Sequence, residues 1–350
     1  MADVVAQAAA RSDAGRVREE NEDRVLLLDD VSARASLYAI ADGLGGHVGG
    51  GVASRLAVDT LGPEVRSSLQ QGVAPREALV GSFRRANAAI RNGARDTGRA
   101  GMATTCTAVL LHRGVALLAH VGDSRAYLLR GQTTTQLTND HSLVGELARH
   151  GALTQGEVEH HAQRHVLTRA LGIADEVDID SAVEPLHAGD VLVLTTDGLH
   201  NAVGVDELAG VVREAADLDE ACRTLVGLAN ARGGMDNATV IVIRIVSRWP
   251  RRAVRVVGPL VLAAFVAGGV AAYRVEHAYF LGVVGGRVAV MRGVPGQVLG
   301  LPLSGVIKVT GIPVTQVAPG QRGRLLRGIP TASPEAAEGL LSGLLARPSP

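Results

Sequence analysis

The sequence predicts an α+β sandwich, two sheets with helices outside, followed by one membrane-spanning helix and a small further segment. Three observations predict it. Short apolar runs recur and stop at a carboxylate, at Asp42, Asp123 and Asp197, and Asp236 precedes another such run. Paired amphipathic stretches lie between those runs, which is the pattern of sheets covered by helix pairs. A late run, Val256 to Tyr273, contains no charged residue at all.

The elements follow in chain order. Residues 11 to 23, Arg-Ser-Asp-Ala-Gly-Arg-Val-Arg-Glu-Glu-Asn-Glu-Asp, are dense in charge and read as a solvated loop. A strand is expected from Arg24 to Leu28, which places Glu22 and Asp23 at a strand edge. After a polar turn over Asp29 to Ala35, the run Leu37 to Ile40 pairs with it. Ala41 to His47 then reads Ala-Asp-Gly-Leu-Gly-Gly-His. Gly43, Gly45 and Gly46 permit a tight turn and leave backbone groups open to a ligand. One Asp-Gly after a strand is an ordinary turn. Its recurrence is what gives it weight.

Gly50 to Ser68 places Ala53, Leu56, Ala57, Leu61 and Val65 at helical spacing, and Pro75 to Ala94 does so with Ala78, Leu79, Phe83, Ala86 and Ile90. Gly101 to Leu111 opens a β-rich run. Val115 to Val121 is a strand that ends in Gly122-Asp123-Ser124-Arg125, and Ala126 to Leu129 is expected as its hairpin partner, with the next turn at Gly131. A helix over Leu143 to His150 takes Asp140 or Ser142 as its cap. Gly151 to His165 is polar and reads as a surface segment; His160, His161 and His165 lack a fixed metal-ligand spacing. Asp190 leads the apolar strand 191–194, which runs into Thr195-Thr196-Asp197-Gly198-Leu199. Helices over Val205 to Ala216 and Asp219 to Arg232 follow, then Gly233-Gly-Met-Asp-Asn-Ala-Thr239 and the strand Val240 to Val246.

Bulk properties exclude several classes. The 350 residues carry 35 basic and 35 acidic side chains, so no net field favours nucleic acid. Aromatics make up only 2%, too few for base-stacking platforms. Cys106 and Cys222 lie in apolar patterns, as reduced core residues do, and argue against a zinc knuckle. Residues 1 to 10 lack the layout of a signal peptide. Val256 to Tyr273 as a helix is about 27 Å long at ~1.5 Å per residue, close to the hydrocarbon thickness. Arg248, Arg251, Arg252 and Arg255 crowd its N-terminal flank, so the positive-inside rule puts the preceding residues in the cytoplasm. The expected organisation is a catalytic domain over 1–246, a basic linker over 247–255, a span over 256–273 and an extracytoplasmic segment over 274–350. In that last segment Val283 to Met291 reads as a hairpin about Gly285-Gly286, and Ser333 caps a short helix ending near Leu345.

Carboxylates gathered at one sheet rim repel one another unless a cation sits among them. Hard oxygen donors without a Cys or ordered His set favour Mg²⁺ or Mn²⁺. Two ions about 4 Å apart activate a bridging water for attack on phosphorus. Arg18 is a candidate phosphate clamp. Here the residues reach a family. Val17-Arg-Glu-Glu-Asn-Glu-Asp23, Ala41-Asp-Gly-Leu-Gly-Gly-His47, Gly101-Met-Ala-Thr-Thr105, Val121-Gly-Asp-Ser-Arg125, Thr138-Asn-Asp-His-Ser142, Thr196-Asp-Gly-Leu199 and Gly234-Met-Asp-Asn-Ala-Thr239 occur in this order. Over residues 8 to 246 the chain resembles the metal-dependent type 2C serine/threonine protein phosphatases, most of all their bacterial branch.

The resemblance implies an α-β-β-α sandwich with antiparallel sheets, and hydrolysis of phosphoserine and phosphothreonine by a water or hydroxide that bridges two Mn²⁺ or Mg²⁺ ions. It implies that Asp42 bridges the ions, that the Gly43 carbonyl joins one of them, and that Asp197 and Asp236 complete the other. Glu22 and Asp23 match the pair that acts through the metals' water shell, and Arg18 matches the phosphate-binding Arg. Asp123, with Asp197, matches a third and weaker metal site. Asn237 takes an outer position that fixes the Asp236 loop. Residues His141 to His165 match a variable flap beside the site. Many eukaryotic members carry a His directly after the Asp-Gly as general acid; Leu44 stands there in this chain, and His47 is a weak substitute. The layout is similar to that of the membrane-anchored actinobacterial phosphatase that opposes Ser/Thr kinases. The implied partners are those kinases, their phosphorylated substrates and the membrane, with a catalytic domain expected to be monomeric. The rival readings are a catalytically silent module of the same fold and a phosphatase dedicated to one small regulatory partner. Loss of a bridging ligand would mark the silent module, and every ligand position is filled.

Overall fold

The computed structural model describes residues 4–32, 35–44, 49–98, 101–154, 156–157, 161–247, 251–298 and 301–345. The chain divides into two compact units, residues 1–249 and 250–350.

In the first unit, apolar residues alternate along the strands and sort onto two faces. One sheet runs, in spatial order, β1 (Val4–Asp13), β12 (Ala238–Ser247), β11 (Val191–Thr195), β8 (Arg125–Arg130) and β9 (Thr133–Gln136). The other runs β10 (Asp180–Pro185), β7 (Val115–Val121), β6 (Cys106–His112), β3 (Ala35–Ala41) and β2 (Arg24–Ser32). Every pairing in both is antiparallel. On β3, Tyr38 and Ile40 join Leu192, Leu194, Ile241 and Ile243 of the first sheet in one core between the sheets. Leu37, Ala39 and Ala41 point the other way, into a core with α1 (Gly49–Gln70) and α2 (Pro75–Thr97). Val193, Val240 and Val242 likewise face α5 (Val205–Glu214) and α6 (Leu218–Ala231). The period-2 geometry of a strand makes each buried strand serve both cores. The result is the α-β-β-α layering. At about 1.5–3 kcal/mol for each large side chain removed from water, these three cores dominate the stability.

Besides β9 and β10, for which the sequence analysis expects no strand, three elements differ from the sequence reading. Val115 to Val121 and Ala126 to Leu129 are not hairpin partners. β7 pairs with β6 and β10, whereas β8 pairs with β11 and β9. Gly122, at φ +114°, turns the chain out of one sheet and into the other, and Asp123 rides on that crossover. Residues 4–13 form a strand that is not expected from the sequence, because four of its ten residues are alanine and its pairing with β12 is entirely non-local. The first strand also continues past Leu28 to Ser32, and Asp29 accepts the Tyr38 hydroxyl at 2.7 Å. Elsewhere the ends shift by a residue or two. Ser142 rather than Asp140 caps α3 (Leu143–Arg149), its hydroxyl accepting the Gly145 N–H at 3.1 Å.

The second unit begins with α7 (Arg251–His277). Among the described residues, Gly258–His277 of α7 is the one segment long and apolar enough to cross a membrane, with a mean hydropathy of 1.5 and none of it buried within the chain. A four-stranded sheet follows, ordered β15 (Leu301–Pro313), β14 (Arg287–Val298), β13 (Tyr279–Val284) and β16 (Ile329–Thr331). Leu281, Val288 and Val290 pack with Leu325 of α8 (Pro319–Arg327) and Ala337 of α9 (Pro334–Leu344). The β13–β14 hairpin turns at Gly285-Gly286, and the Ser333 hydroxyl accepts the Ala336 N–H at 3.1 Å to cap α9.

Candidate active site

The two sheets place their carboxylates at one rim. Asp42 follows β3, Asp123 follows β7 and Asp23 precedes β2, all from one sheet; Asp197 follows β11 and Asp236 precedes β12, from the other. A cleft of about 740 Å³ is lined by Arg18, Glu22, Asp42, Gly43, Asp123, Asp197, Asp236 and Asn237. Asp23 lies beneath that lining and is 2% exposed.

Backbone clamps fix each acid. The Asp42 carbonyl accepts the Thr105 N–H at 2.9 Å and the Thr104 hydroxyl at 2.7 Å, and Thr105 Oγ1 accepts the Asp42 N–H at 3.0 Å. The Gly101–Thr105 motif thus holds Asp42, a role that its spacing alone did not reveal. Gly43 has no room for a side chain, because a Cβ there would meet the carbonyl oxygen of Gly50 in α1 and lie 2.9 Å from that of Glu22. Glu22 Oε1 accepts the Gly51 N–H at 3.1 Å at the start of the same helix. Asn237 knots the acidic loop to the second sheet: its amide donates to Ala14 O and Glu20 O at 3.0 Å, and its carbonyl accepts the Glu22 N–H at 2.8 Å. Arg18 Nη2 donates to Asp236 Oδ2 at 2.8 Å, so the one cation among these residues already faces the acids.

The electrostatics follow from crowding. Burial, then the charges of Asp23, Asp197, Asp123 and Asp236, push Asp42 well above the carboxylate range. Burial lifts Asp23 to about 7 against hydrogen bonds from Thr239 and Thr196, and lifts Asp123 to about 7 together with the charges of Asp197 and Asp140. Asp197 goes the other way: burial acts on it too, but the imidazoles of His165 and His200 outweigh it. Asp23 Oδ2 accepts Thr196 and Thr239 hydroxyls, while its Oδ1 is buried without a partner.

His165 brings Nδ1 to 3.8 Å from Asp197 Oδ2, and Arg164 lines the same cleft. The sequence points to this segment only as a flap beside the site and assigns neither residue a role in the cleft. His161 Nδ1 accepts the Gln163 N–H at 3.1 Å, and among the described residues no His group that could hold a metal forms. His160, and His47 with Gly45 and Gly46, lie outside the described residues. Leu44 lines the cleft and offers no proton.

The donor set suits a hard divalent cation. It is made of oxygens, it holds an unpartnered buried carboxylate oxygen, and it is destabilised by mutual repulsion that a cation relieves. Among the described residues no three His, Cys, Asp or Glu side chains already close around one point.

A fold of two antiparallel sheets between helix pairs, with acids from both at one rim, defines a metal-dependent hydrolase. A family model for protein phosphatase 2C matches residues 15–232. Protein phosphatase PhpP of Streptococcus pneumoniae is 36% identical over 233 residues, spanning 66% of this chain and 94% of that protein. The serine/threonine phosphatase PstP/Ppp of Mycobacterium tuberculosis superimposes with a TM-score of 0.62 at 36% identity, covering 69% of this chain and 98% of the other. A PstP catalytic domain in complex with two manganese ions gives a TM-score of 0.61 at 34% identity, covering 70% and 100%. The chain belongs to the protein phosphatase 2C family of serine/threonine protein phosphatases, and dependence on Mn²⁺ or Mg²⁺ comes with that family.

Proposed function

We propose that this enzyme removes phosphate from phosphoserine and phosphothreonine in proteins at the membrane, reversing Ser/Thr kinase signalling. Asp42 and the Gly43 carbonyl hold one ion, Asp42, Asp197 and Asp236 hold the second, and Glu22 and Asp23 act through the water around them. Asp123 and Asp197 hold a third, weaker ion. When bound, the ions supply water activation and screening of phosphoryl charge. The observation that carries this assignment is the unpartnered Asp23 Oδ1 beside Asp42, whose carboxyl burial and the charges of neighbouring acids push well above the usual range.

Arg18 binds the substrate phosphate. Its guanidinium has five donors in a fork, enough to keep Asp236 and still meet a phosphoryl oxygen. Asn237 keeps Glu22 and Asp236 in register, so its contribution is to orientation. The span over 256–273 and the basic linker over 247–255 support a single-pass topology with residues 1–246 in the cytoplasm and 274–350 outside. Anchoring confines enzyme and membrane-bound kinases to one surface and raises their encounter frequency.

The test is phosphate release from a phosphothreonine peptide by the full chain with Mn²⁺ and then with EDTA. Release that EDTA abolishes is the expected result. Release that persists in EDTA, or none with Mn²⁺ bound, overturns the metal assignment.

A further inference from the structure

Behind the cleft, two buried imidazoles join segments that the catalytic account leaves unexplained. His141 is fully buried, and its Nδ1 accepts the Gly122 N–H at 3.1 Å. An Nδ1 that accepts carries no proton, so the neutral ring is the Nε2–H tautomer. That Nε2 lies 3.1 Å from Asp180 Oδ2, close enough for charge attraction but outside hydrogen-bond geometry, and Arg169 Nη1 donates to the other Asp180 oxygen at 2.8 Å. The His141 main chain adds two further ties: its N–H donates to Gly122 O at 2.7 Å, and its carbonyl accepts the Thr168 N–H at 2.8 Å. His120, 4.7 Å away ring to ring, sends Nε2 to Asn139 O at 3.0 Å.

These contacts converge on two places. Gly122 is the residue before Asp123, on the crossover between sheets. Thr168 and Arg169 close the far end of the segment whose near end is His141; Leu143 N–H donates to Val166 O at 2.8 Å across the same neck. That segment brings Arg164 and His165 to the cleft. His141 therefore meets the Asp123 loop through its ring, and the neck that carries two cleft residues through its main-chain carbonyl and, by way of Asp180, through Arg169.

We infer that His141 is a positioning residue that couples the Asp123 loop to the neck of the 143–167 segment. It does so with Nδ1 accepting from Gly122, Nε2 facing Asp180, and its carbonyl accepting from Thr168. Its effect on turnover rests on the assignment of Asp123 to a metal given above; its effect on the neck does not.

The experiment uses the full chain and compares His141→Leu, His141→Asn and Asp180→Asn, alone and with Asp123→Asn. An Asn side-chain oxygen reproduces the Nδ1 acceptor, so His141→Asn serves as the conservative rescue and as the variant to use should His141→Leu fail to fold. Hydrogen exchange followed by mass spectrometry reads the peptides containing Gly122 and residues 161–168. His141→Leu is expected to speed exchange in both about fivefold, the equivalent of one ordinary buried hydrogen bond. His141→Asn is expected to return the Gly122 peptide to the parent rate, while its neck peptide and that of Asp180→Asn both exchange faster. Turnover of a phosphothreonine peptide, with Mn²⁺ titrated calorimetrically alongside, reads the site. His141→Leu is expected to weaken the Asp123-dependent Mn²⁺ and to cost nothing further in the Asp123→Asn background. Parent-like exchange in both peptides of a folded His141→Leu or Asp180→Asn chain, or losses that simply add to those of Asp123→Asn, overturns the coupling. Should Asp123→Asn itself titrate Mn²⁺ and turn over like the parent, the metal role of Asp123 falls, and the exchange rates alone decide for or against His141.

Discussion

The tripeptide Asp-Gly-Leu occurs twice at the cleft, as Asp42-Gly43-Leu44 after β3 and as Asp197-Gly198-Leu199 after β11. Each follows a mostly apolar strand in the interior of its sheet, and each glycine presses on a backbone. A Cβ on Gly43 would meet Gly50 O, and one on Gly198 would meet Asn237 O. The electrostatics diverge. Asp42 faces other acids and is pushed up, whereas Asp197 faces two imidazoles and is pulled down. The same local sequence at the ends of two strands is thus shifted in opposite directions. What separates them is their neighbours, the distant His165 and, one helical turn on from Asp197, His200.

The comparison breaks first at its strongest point. Asp42→Asn should lower turnover more than about a hundredfold, the several kcal/mol that bound-metal charge stabilisation supplies. Asp236→Asn should match it. Retention of more than a few per cent of peptide hydrolysis in either refutes the shared-ion assignment. Next come the glycines. Gly43→Ala and Gly198→Ala should each cost about 2–3 kcal/mol in urea unfolding, because the added methyl meets backbone that cannot rotate away. Gly210→Ala, in the middle of α5 with nothing within 4 Å of the added carbon, should instead stabilise by up to about 1 kcal/mol. Equal shifts in all three would remove the steric argument.

Asp123→Asn sharpens the comparison, since it lies beside Asp197 but off both tripeptides. It should keep two bound Mn²⁺ and lower turnover about tenfold, the scale of a lost outer ligand. Loss of the two tight ions would contradict its separate role. The smallest effect is expected at the opposite end of β11. Asp190 accepts Arg130 at 3.1 and 2.8 Å and the His187 N–H at 2.8 Å; burial opposes these, yet they hold its carboxyl below the ordinary value. A depressed folded-state value means the stabilisation is fully present above about pH 4, the unfolded value, and is lost as pH falls through the folded one. Asp190→Asn should therefore cost about 1–2 kcal/mol at pH 7 and progressively less in acid. A gap that widens as pH drops would show the sign to be wrong.

Legibility tracks how local each cause is. The apolar runs ending at Asp42 and Asp197 were readable because strand periodicity and a following glycine are short-range signals. So was the Ser333 cap. β1 was not, because an alanine-rich stretch becomes a strand only when β12 arrives to pair with it. β10 was missed for a related reason: Asp180–Pro185 is a polar edge strand, and its ladder partner β7 is distant in sequence. The hairpin misreading over Val115 to Leu129 came from treating Gly122 as an in-plane turn, when its backbone instead carries the chain between sheets. Within the site, the carboxylates and the Asn237 tie were legible, and the threonine clamps were not. Thr104 and Thr105 stood inside a quoted motif with no role, and His141, His165 and Thr239 act through folded neighbours alone.

The pairing of β1 with β12 has a consequence for biosynthesis. Val4 partners Ser247, so the first strand made waits for almost the last residue of its unit. Until residues 238–247 leave the ribosome, β11 has an open edge and β1 has no sheet to join. The next residues to emerge are those of α7, the most apolar stretch of the chain. Closure of the sheet and arrival of that helix therefore fall together in time, and a nascent chain stalled just short of β12 exposes an unpaired strand where the finished protein has none.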